Sequence, residues 1–191
     1  VNAKDEDGST PLYRAASTNS ADAIHALIEK GADVNAKDED GSTPLYRAAS
    51  TNSADAIHAL IEKGADVNAK DEDGSTLLHR AALKNSVDAI HVLVEKGADV
   101  NARDTNGSTP LYVAAQSVMS MNILFGSLAG GADYNGAINA LVEKGADVNA
   151  KNENGSTLLH LEAREKNRVD AINMLVEKGA DVDVKNKYGE T

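Results

Sequence analysis

The chain has 191 residues, no cysteine and no tryptophan, and its formal net charge is −11 at pH 7. A chain without cysteine has no disulfide framework, thiol nucleophile or cysteine-ligated metal site. The negative charge argues against nucleic acids and anionic membranes as partners. The sequence also lacks an apolar run of about 18 residues, and its first residues do not resemble a signal peptide.

A unit of 33 residues repeats along the chain, marked by Gly8, Gly41, Gly74 and Gly107. Residues 1–33 and 34–66 are identical, and residues 67–99 differ from them at few positions. Such a period is typical of solenoids, in which each unit packs only against its neighbours. We therefore predict a single domain over residues 1–191. Its repeat units are 1–33, 34–66, 67–99, 100–147 and 148–191.

Each unit contains a short first helix. Thr10 is the expected N-cap, and Pro11 occupies the first helical position, where its missing N–H removes no hydrogen bond. Leu12, Ala15 and Ala16 follow the i, i+3, i+4 spacing of one helical face. This face is predicted to pack in the core, with Arg14 on the opposite, exposed side.

A second helix follows a break at Asn19–Ser20, because asparagine tolerates a left-handed backbone and serine can cap the next helix. Gly31 is the expected C-terminal glycine of this helix. Its apolar stripe consists of Ile24, Leu27 and Ile28. The segment 32–41 then predicts a projecting turn or short hairpin. Its acidic tip lacks the ligand spacing of an EF-hand, so we interpret it as a solvated turn.

The period, together with Thr10-Pro11-Leu12 and Ala15 at the start of the first helix, resembles the ankyrin repeat. This resemblance covers the whole chain. It implies an all-α, ankyrin-type helix-turn-helix solenoid of about five stacked repeats with projecting β-turn or hairpin tips. It also implies that His79 and His160 connect neighbouring turns by hydrogen bonds. Tyrosine replaces this histidine at Tyr13 and Tyr46, where the ring can pack but that hydrogen bond is not expected.

The resemblance further implies a non-enzymatic protein-protein interaction module that binds through the hairpin tips and the concave face of the first helices. Motifs for nucleophilic, phosphate-binding or metalloprotease chemistry are absent from the sequence, and we predict no cofactor and no metal. Because the tips are acidic, a protein partner with a basic segment is expected, with no nucleic acid and no membrane insertion. Carried over by position, the candidate binding residues are Glu6, Asp7, Ser9, Arg14, Glu39, Asp40, Ser42, Arg47, Glu72, Asp73, Ser75, Arg80, Val113 and Phe125.

An alternative is that the chain is the targeting segment of a larger enzyme or secreted effector whose active domain lies elsewhere. The absence of an initiator methionine and of polar end repeats leads us to expect a piece of a longer protein. The cysteine-free composition is compatible with the cytoplasm.

Two further patterns recur with the period. His25, His58 and His91 lie on successive second helices, whose spacing of about 8–10 Å is too wide for one metal ion, so we interpret them as surface residues. A leucine eight residues before an asparagine resembles the asparaginyl hydroxylation site of ankyrin repeats. The alternative, which we favour, is that Asp-Val-Asn shapes the base of the hairpin. The asparagines concerned are Asn35, Asn68, Asn101 and Asn149.

The fourth unit carries an excess of 15 residues, since Gly107 and Gly155 are 48 apart. The segment Ala137–Lys144 matches the other second helices and is predicted to occupy the regular stack. Met121–Leu128 is predicted to form an extra, displaced apolar helix, either packed against repeats four and five or offered to a partner. Repeat five has one additional residue around Glu165–Arg168, which predicts a longer turn.

Overall fold

A computed structural model of the protein describes residues 1–125, 136–164 and 169–191. The helices in this part of the chain are α1 (Pro11–Ser17), α2 (Ala21–Glu29), α3 (Pro44–Ser50), α4 (Ala54–Glu62), α5 (Leu77–Leu83), α6 (Val87–Glu95), α7 (Pro110–Phe125), α8 (Gly136–Glu143), α9 (Leu158–Ala163) and α10 (Val169–Glu177). The longer turn expected at Glu165–Arg168 lies outside the described residues.

The helices form two layers. The first helices α1, α3, α5, α7 and α9 contact one another in succession, and α2, α4, α6 and α8 form the second row. The described residues contain no strand, and the turns between repeats show one isolated antiparallel bridge, between Lys70 and Thr76. The predicted all-α solenoid is therefore confirmed.

The first helix begins in the way that the sequence predicts. The hydroxyl oxygen of Thr10 accepts a hydrogen bond from the backbone N–H of Tyr13 at 3.2 Å, and Pro11 follows it. In α5 the cap is reciprocal, because the backbone N–H of Thr76 donates to Nδ1 of His79 at 3.1 Å. These bonds use N–H groups that have no partner inside the helix.

The break between the two helices is also confirmed. Asn19, Asn52 and Asn85 adopt φ angles of 54°, 54° and 53°, in the left-handed region. The Asn19 side chain then reaches the next repeat: its Nδ2 donates to Asp55 Oδ2, and its Oδ1 accepts from the N–H of Ala56, both at 3.0 Å. One residue therefore ends a helix and connects two repeats.

Repeat four departs from the prediction of a separate helix at Met121–Leu128. Its described part, up to Phe125, continues α7, which extends from Pro110 to Phe125 without a break. The position equivalent to Asn85 is Val118, and a β-branched residue does not adopt the positive φ that ends the other first helices. The rest of the insertion, 126–135, lies outside the described residues.

The segment Ala137–Lys144 occupies the regular stack, as predicted. Helix α8 contacts α6, and the N–H of Ala137 donates to Oδ1 of Asn85 at 2.7 Å. Gly136 takes the place that aspartate has in the first three repeats, and a Cβ there would lie 2.8 Å from Cγ2 of Val87. Val87 is larger than the alanine at its position in repeats one and two, and the glycine leaves room for it.

The core is a ladder of equivalent aliphatic residues, one set from each layer, with alanines between them. Small alanine side chains allow the helices to approach closely, and the leucines and isoleucines fill the space between repeats. The fully buried members include Leu12, Leu45, Leu78 and Leu111 from the first helices and Ile24, Ile57, Ile90, Leu60, Leu93 and Leu141 from the second.

Candidate binding surface

Each hairpin tip is folded around one acidic or amide side chain. Oδ1 of Asp5 accepts hydrogen bonds from the backbone N–H groups of Asp7 at 3.1 Å and Ser9 at 2.8 Å. Gly8 completes the turn with φ of 70°. This arrangement directs the following two residues into solvent. The same bonds are made by Asp38, Asp71, Asp104, Asn152 and Asn186.

The acidic residues predicted to be available for binding are exposed: Glu6, Asp7, Glu39, Asp40, Glu72 and Asp73. The serines predicted to be available for binding are less exposed than expected. Ser9 is only 6% exposed, and Ser42 and Ser75 are half-buried, because their backbone groups close the turn. They shape the tips and offer little surface of their own.

The arginines of the first helices face the tips. The guanidinium of Arg14 binds Asp5 at 2.8 Å and Asp7 at 3.2 Å, and Arg80 binds Asp71 at 3.2 Å. The hydrogen bond from Arg14 lowers the pKa of the Asp5 carboxyl. Among the described residues Arg47 makes no ion pair. The positive charges are therefore partly neutralised within their own repeats.

Tyrosines connect neighbouring repeats on the same face. Arg47 lies over the ring of Tyr13, 6.0 Å from its centroid, and Arg80 lies 5.2 Å from that of Tyr46. Burial raises the pKa of Tyr13, and the nearby carboxylate of Asp38 raises it further. The tyrosines therefore connect the repeats by packing of their rings, as expected, and the arginine above each ring is the contact that sequence reasoning missed.

His79 makes the connection that the family resemblance implies. Its Nδ1 accepts from the N–H of Thr76, and its Nε2 donates to the carbonyl of Ser108, in the next repeat, at 3.0 Å. Burial lowers the pKa of His79, which favours the neutral ring. His160 repeats the geometry with Thr157 and the carbonyl of Glu190.

The tips of repeats two and three are further apart than the others. A Cβ on Gly8, Gly74 or Gly107 would meet a backbone nitrogen of the next tip at 2.8–3.1 Å, but one on Gly41 would meet nothing within 4 Å. Backbone bonds also join later tips: the N–H of Thr105 donates to the carbonyl of Asp73, for example. No such bond joins the tips of repeats two and three among the described residues.

The candidate hydroxylation residues show the same difference. Oδ1 of Asn68 accepts from the N–H of Asp99 at 2.9 Å, and its Nδ2 donates to the carbonyl of Gly97 at 3.0 Å. Asn101 and Asn149 make equivalent bonds. Within the described part of the chain the Asn35 side chain makes none. The geometry supports a structural role for the bonded asparagines, and their modification stays a prediction.

The separation of the tips of repeats two and three leaves a groove of about 430 Å³, which is open to solvent. The carboxylates of Asp40, Glu72 and Asp73 line it, and none of the three makes an ion pair with any described residue. Of its three cations, Arg80 is paired with Asp71, Lys70 donates to the carbonyl of Arg103 at 3.0 Å, and Lys37 makes no ion pair with a described residue. With Asp71 the groove has four carboxylates against these three cations, so its lining carries an excess of negative charge.

Repeats four and five present a different surface. Val113 and Leu161 replace the arginine of the first helix, and the two turns that face this surface, both within 148–191, are built on Asn152 and Asn186 instead of aspartate. A second groove, of about 700 Å³, lies here. Val113 is half-buried, and Phe125 ends α7 with its side chain outside the described residues.

Among the residues that the structure describes there is no cluster of three or more His, Cys, Asp or Glu that could hold a metal ion. His25, His58 and His91 are half-buried on successive second helices. None of the described helices has the length and apolarity required to cross a bilayer.

Comparison with known families agrees with this architecture. A family described as ankyrin repeats (3 copies) matches residues 1–71, and one described as ankyrin repeats (many copies) matches residues 60–114 and 141–191. The gap in the second match contains the insertion of repeat four. A comparison with curated proteins gives no match. With its helix pairs, its turns and these matches, the chain belongs to the ankyrin repeat family, whose members are generally protein-protein interaction modules.

Proposed function

We propose that the chain is a non-enzymatic binding module for a protein partner that presents a basic segment. The segment lies along the hairpin tips and the concave face of the first helices. The observation that carries this proposal is the acidic groove between the tips of repeats two and three, where three carboxylates lack an ion pair among the described residues.

The charge of the tips acts mainly on the rate of association. Exposed carboxylates attract a basic segment over a Debye length of about 8 Å at physiological salt, and they contribute less once the complex has formed. The same acidic group is offered three times, by repeats one, two and three, about 8–10 Å apart. A partner with several basic residues can therefore contact more than one tip.

The proposal is tested with a displayed library of random peptides of about 14 residues, the length that spans five repeats in extended form. Binding of the selected peptides is measured by surface plasmon resonance at low salt. In the variant Glu6→Lys/Glu39→Lys/Glu72→Lys, the association rate should fall about tenfold. The dissociation rate should change less.

The matched control is Glu29→Lys/Glu62→Lys/Glu95→Lys, which changes the net charge equally on exposed positions of the second helices. It should leave the association rate close to that of the parent chain. An equal loss in both triple variants would show that net charge alone is responsible. A library that yields no saturable peptide would overturn the binding function itself.

A further inference from the structure

The groove at repeats four and five contains a guanidinium that is not paired with a carboxylate of the described residues. Arg164 lines this groove, and its guanidinium makes no ion pair or hydrogen bond with any described residue. This contrasts with Arg14 and Arg80, which are paired with the aspartates of their own tips. Arg164 is also exposed to solvent.

Tyr112 provides a second donor in the same groove. Its hydroxyl oxygen accepts a hydrogen bond from Nδ2 of Asn152 at 3.2 Å, which leaves the hydroxyl proton available for another acceptor. Burial raises the pKa of Tyr112, while the Asn152 bond and the positive charge of Arg164 lower it. The guanidinium of Arg164 and the hydroxyl of Tyr112 line the same groove.

The carboxylate that already lines the groove is engaged elsewhere. Glu190 accepts a hydrogen bond from Nδ2 of Asn186 at 2.7 Å, and it forms no ion pair with Arg164 in the described part of the chain. The neighbouring turns are built on Asn152 and Asn186, so the aspartates that pair with Arg14 and Arg80 have no counterpart here. A guanidinium and a hydroxyl are together suited to two oxygens of one carboxylate.

We propose that this groove binds an acidic side chain of the same peptide segment whose basic residues contact repeats one to three. This inference rests on the proposed function and adds the orientation of the bound segment. The segment is basic at the end that contacts repeats one to three, and it carries a carboxylate at the other end. Charge complementarity and the continuity of the concave face support a peptide as the occupant.

The spacing follows from the geometry of the array. Repeats three and five are two units apart, so the two sites are separated by about 20 Å. An extended chain rises about 3.3 Å per residue, which places the acidic residue about six positions from the last basic one. Peptides selected on the parent chain should therefore share this separation.

A double-mutant cycle tests the contact on one selected peptide. Changing Arg164→Gln in the protein, or the acidic residue to glutamine in the peptide, should each weaken binding about tenfold. The two changes together should weaken it little more than either alone, because both remove the same interaction. Lys178→Gln, an equal charge change in the same repeat but outside the groove, should have no effect.

Independent losses, or no loss, in the cycle would overturn the carboxylate site while leaving the proposed function intact. The same holds if selected peptides bind saturably but contain no acidic residue at that separation. If no peptide binds saturably, the proposed function fails together with this inference. Melting curves of the Arg164→Gln variant confirm that the fold is retained, which is expected because Arg164 is exposed.

Discussion

Repeats one and two have the same 33 residues but not the same environment. Leu60 is fully buried, whereas its counterpart Leu27 is half-buried, and Pro44 is buried where Pro11 is exposed. Repeat two lies between two neighbours, α1 and α2 on one side and α5 and α6 on the other. Repeat one has a single neighbour among the described residues. Burial is therefore a property of the stack and not of the unit.

The hairpins of the two units differ in the same way. Asn2 in repeat one bonds with Gly31 and Asp33, but the identical Asn35 in repeat two makes no side-chain bond with any described residue. Equivalent residues of one unit are thus bonded in repeat one and not in repeat two, so the neighbouring repeats contribute to whether these bonds form. Comparing identical substitutions in the two repeats isolates that contribution.

The largest difference is expected from the core leucine. Leu60→Ala removes a fully buried side chain and should lower the free energy of unfolding by about 2–5 kcal/mol. Leu27→Ala removes the same atoms from a half-buried site and should cost about half as much. Urea unfolding followed by circular dichroism measures both. Equal losses would show that the two interfaces are energetically the same.

Much of the fold was predictable because its signals are local. Proline after threonine marks the start of the first helix, and Asn19 and Gly31 mark where helices end; all three act through their own backbone. The prediction of a separate helix at Met121–Leu128 was wrong in its described part, because similarity to a second helix was weighed above the missing breaker at Val118. A helix continues where no residue ends it, and Val118 does not end α7.

Repeat three departs from repeats one and two by carrying His79 instead of tyrosine. Because burial lowers the pKa of His79, the unfolded chain binds a proton more readily than the folded one. The contribution of neutral His79 to the free energy of unfolding is complete above the pKa of the unfolded chain, about 6.5, and is lost as the pH falls below it. The loss is about 1.4 kcal/mol for each unit by which the pKa values of the folded and unfolded chains differ.

His79→Tyr should flatten this decline, since it installs the residue of repeats one and two. Unfolding free energies at a series of pH values below neutrality measure the effect. His25→Tyr, a change on the outer helix α2, is the control and should leave the decline in place. If the stability of the His79→Tyr variant declines with falling pH as steeply as that of the parent chain, groups other than His79 cause the decline.

The binding surface was less predictable than the fold. The exposure of the acidic tips follows from the turn, but the stacking of Arg47 on Tyr13 and of Arg80 on Tyr46 joins residues of different repeats. Arg164, which we propose to bind a carboxylate, was not predicted from the sequence, because the repeated pattern points to the acidic tips. A signal for it existed in the change from aspartate to asparagine at Asn152.

The smallest effect is expected at the hairpin asparagines. Asn68→Ala removes two hydrogen bonds, to Gly97 and Asp99 at the end of the same repeat, and should cost about 1 kcal/mol, since neutral bonds near solvent contribute modestly. Asn35→Ala removes no bond to a described residue, so its cost should be close to zero. Thermal melting of the two variants and of the parent chain measures the two changes in stability. A cost at Asn35 as large as that at Asn68 would mean that the hairpins of repeats two and three close against each other in solution. The acidic groove between them would then be narrower than the 430 Å³ of the structure.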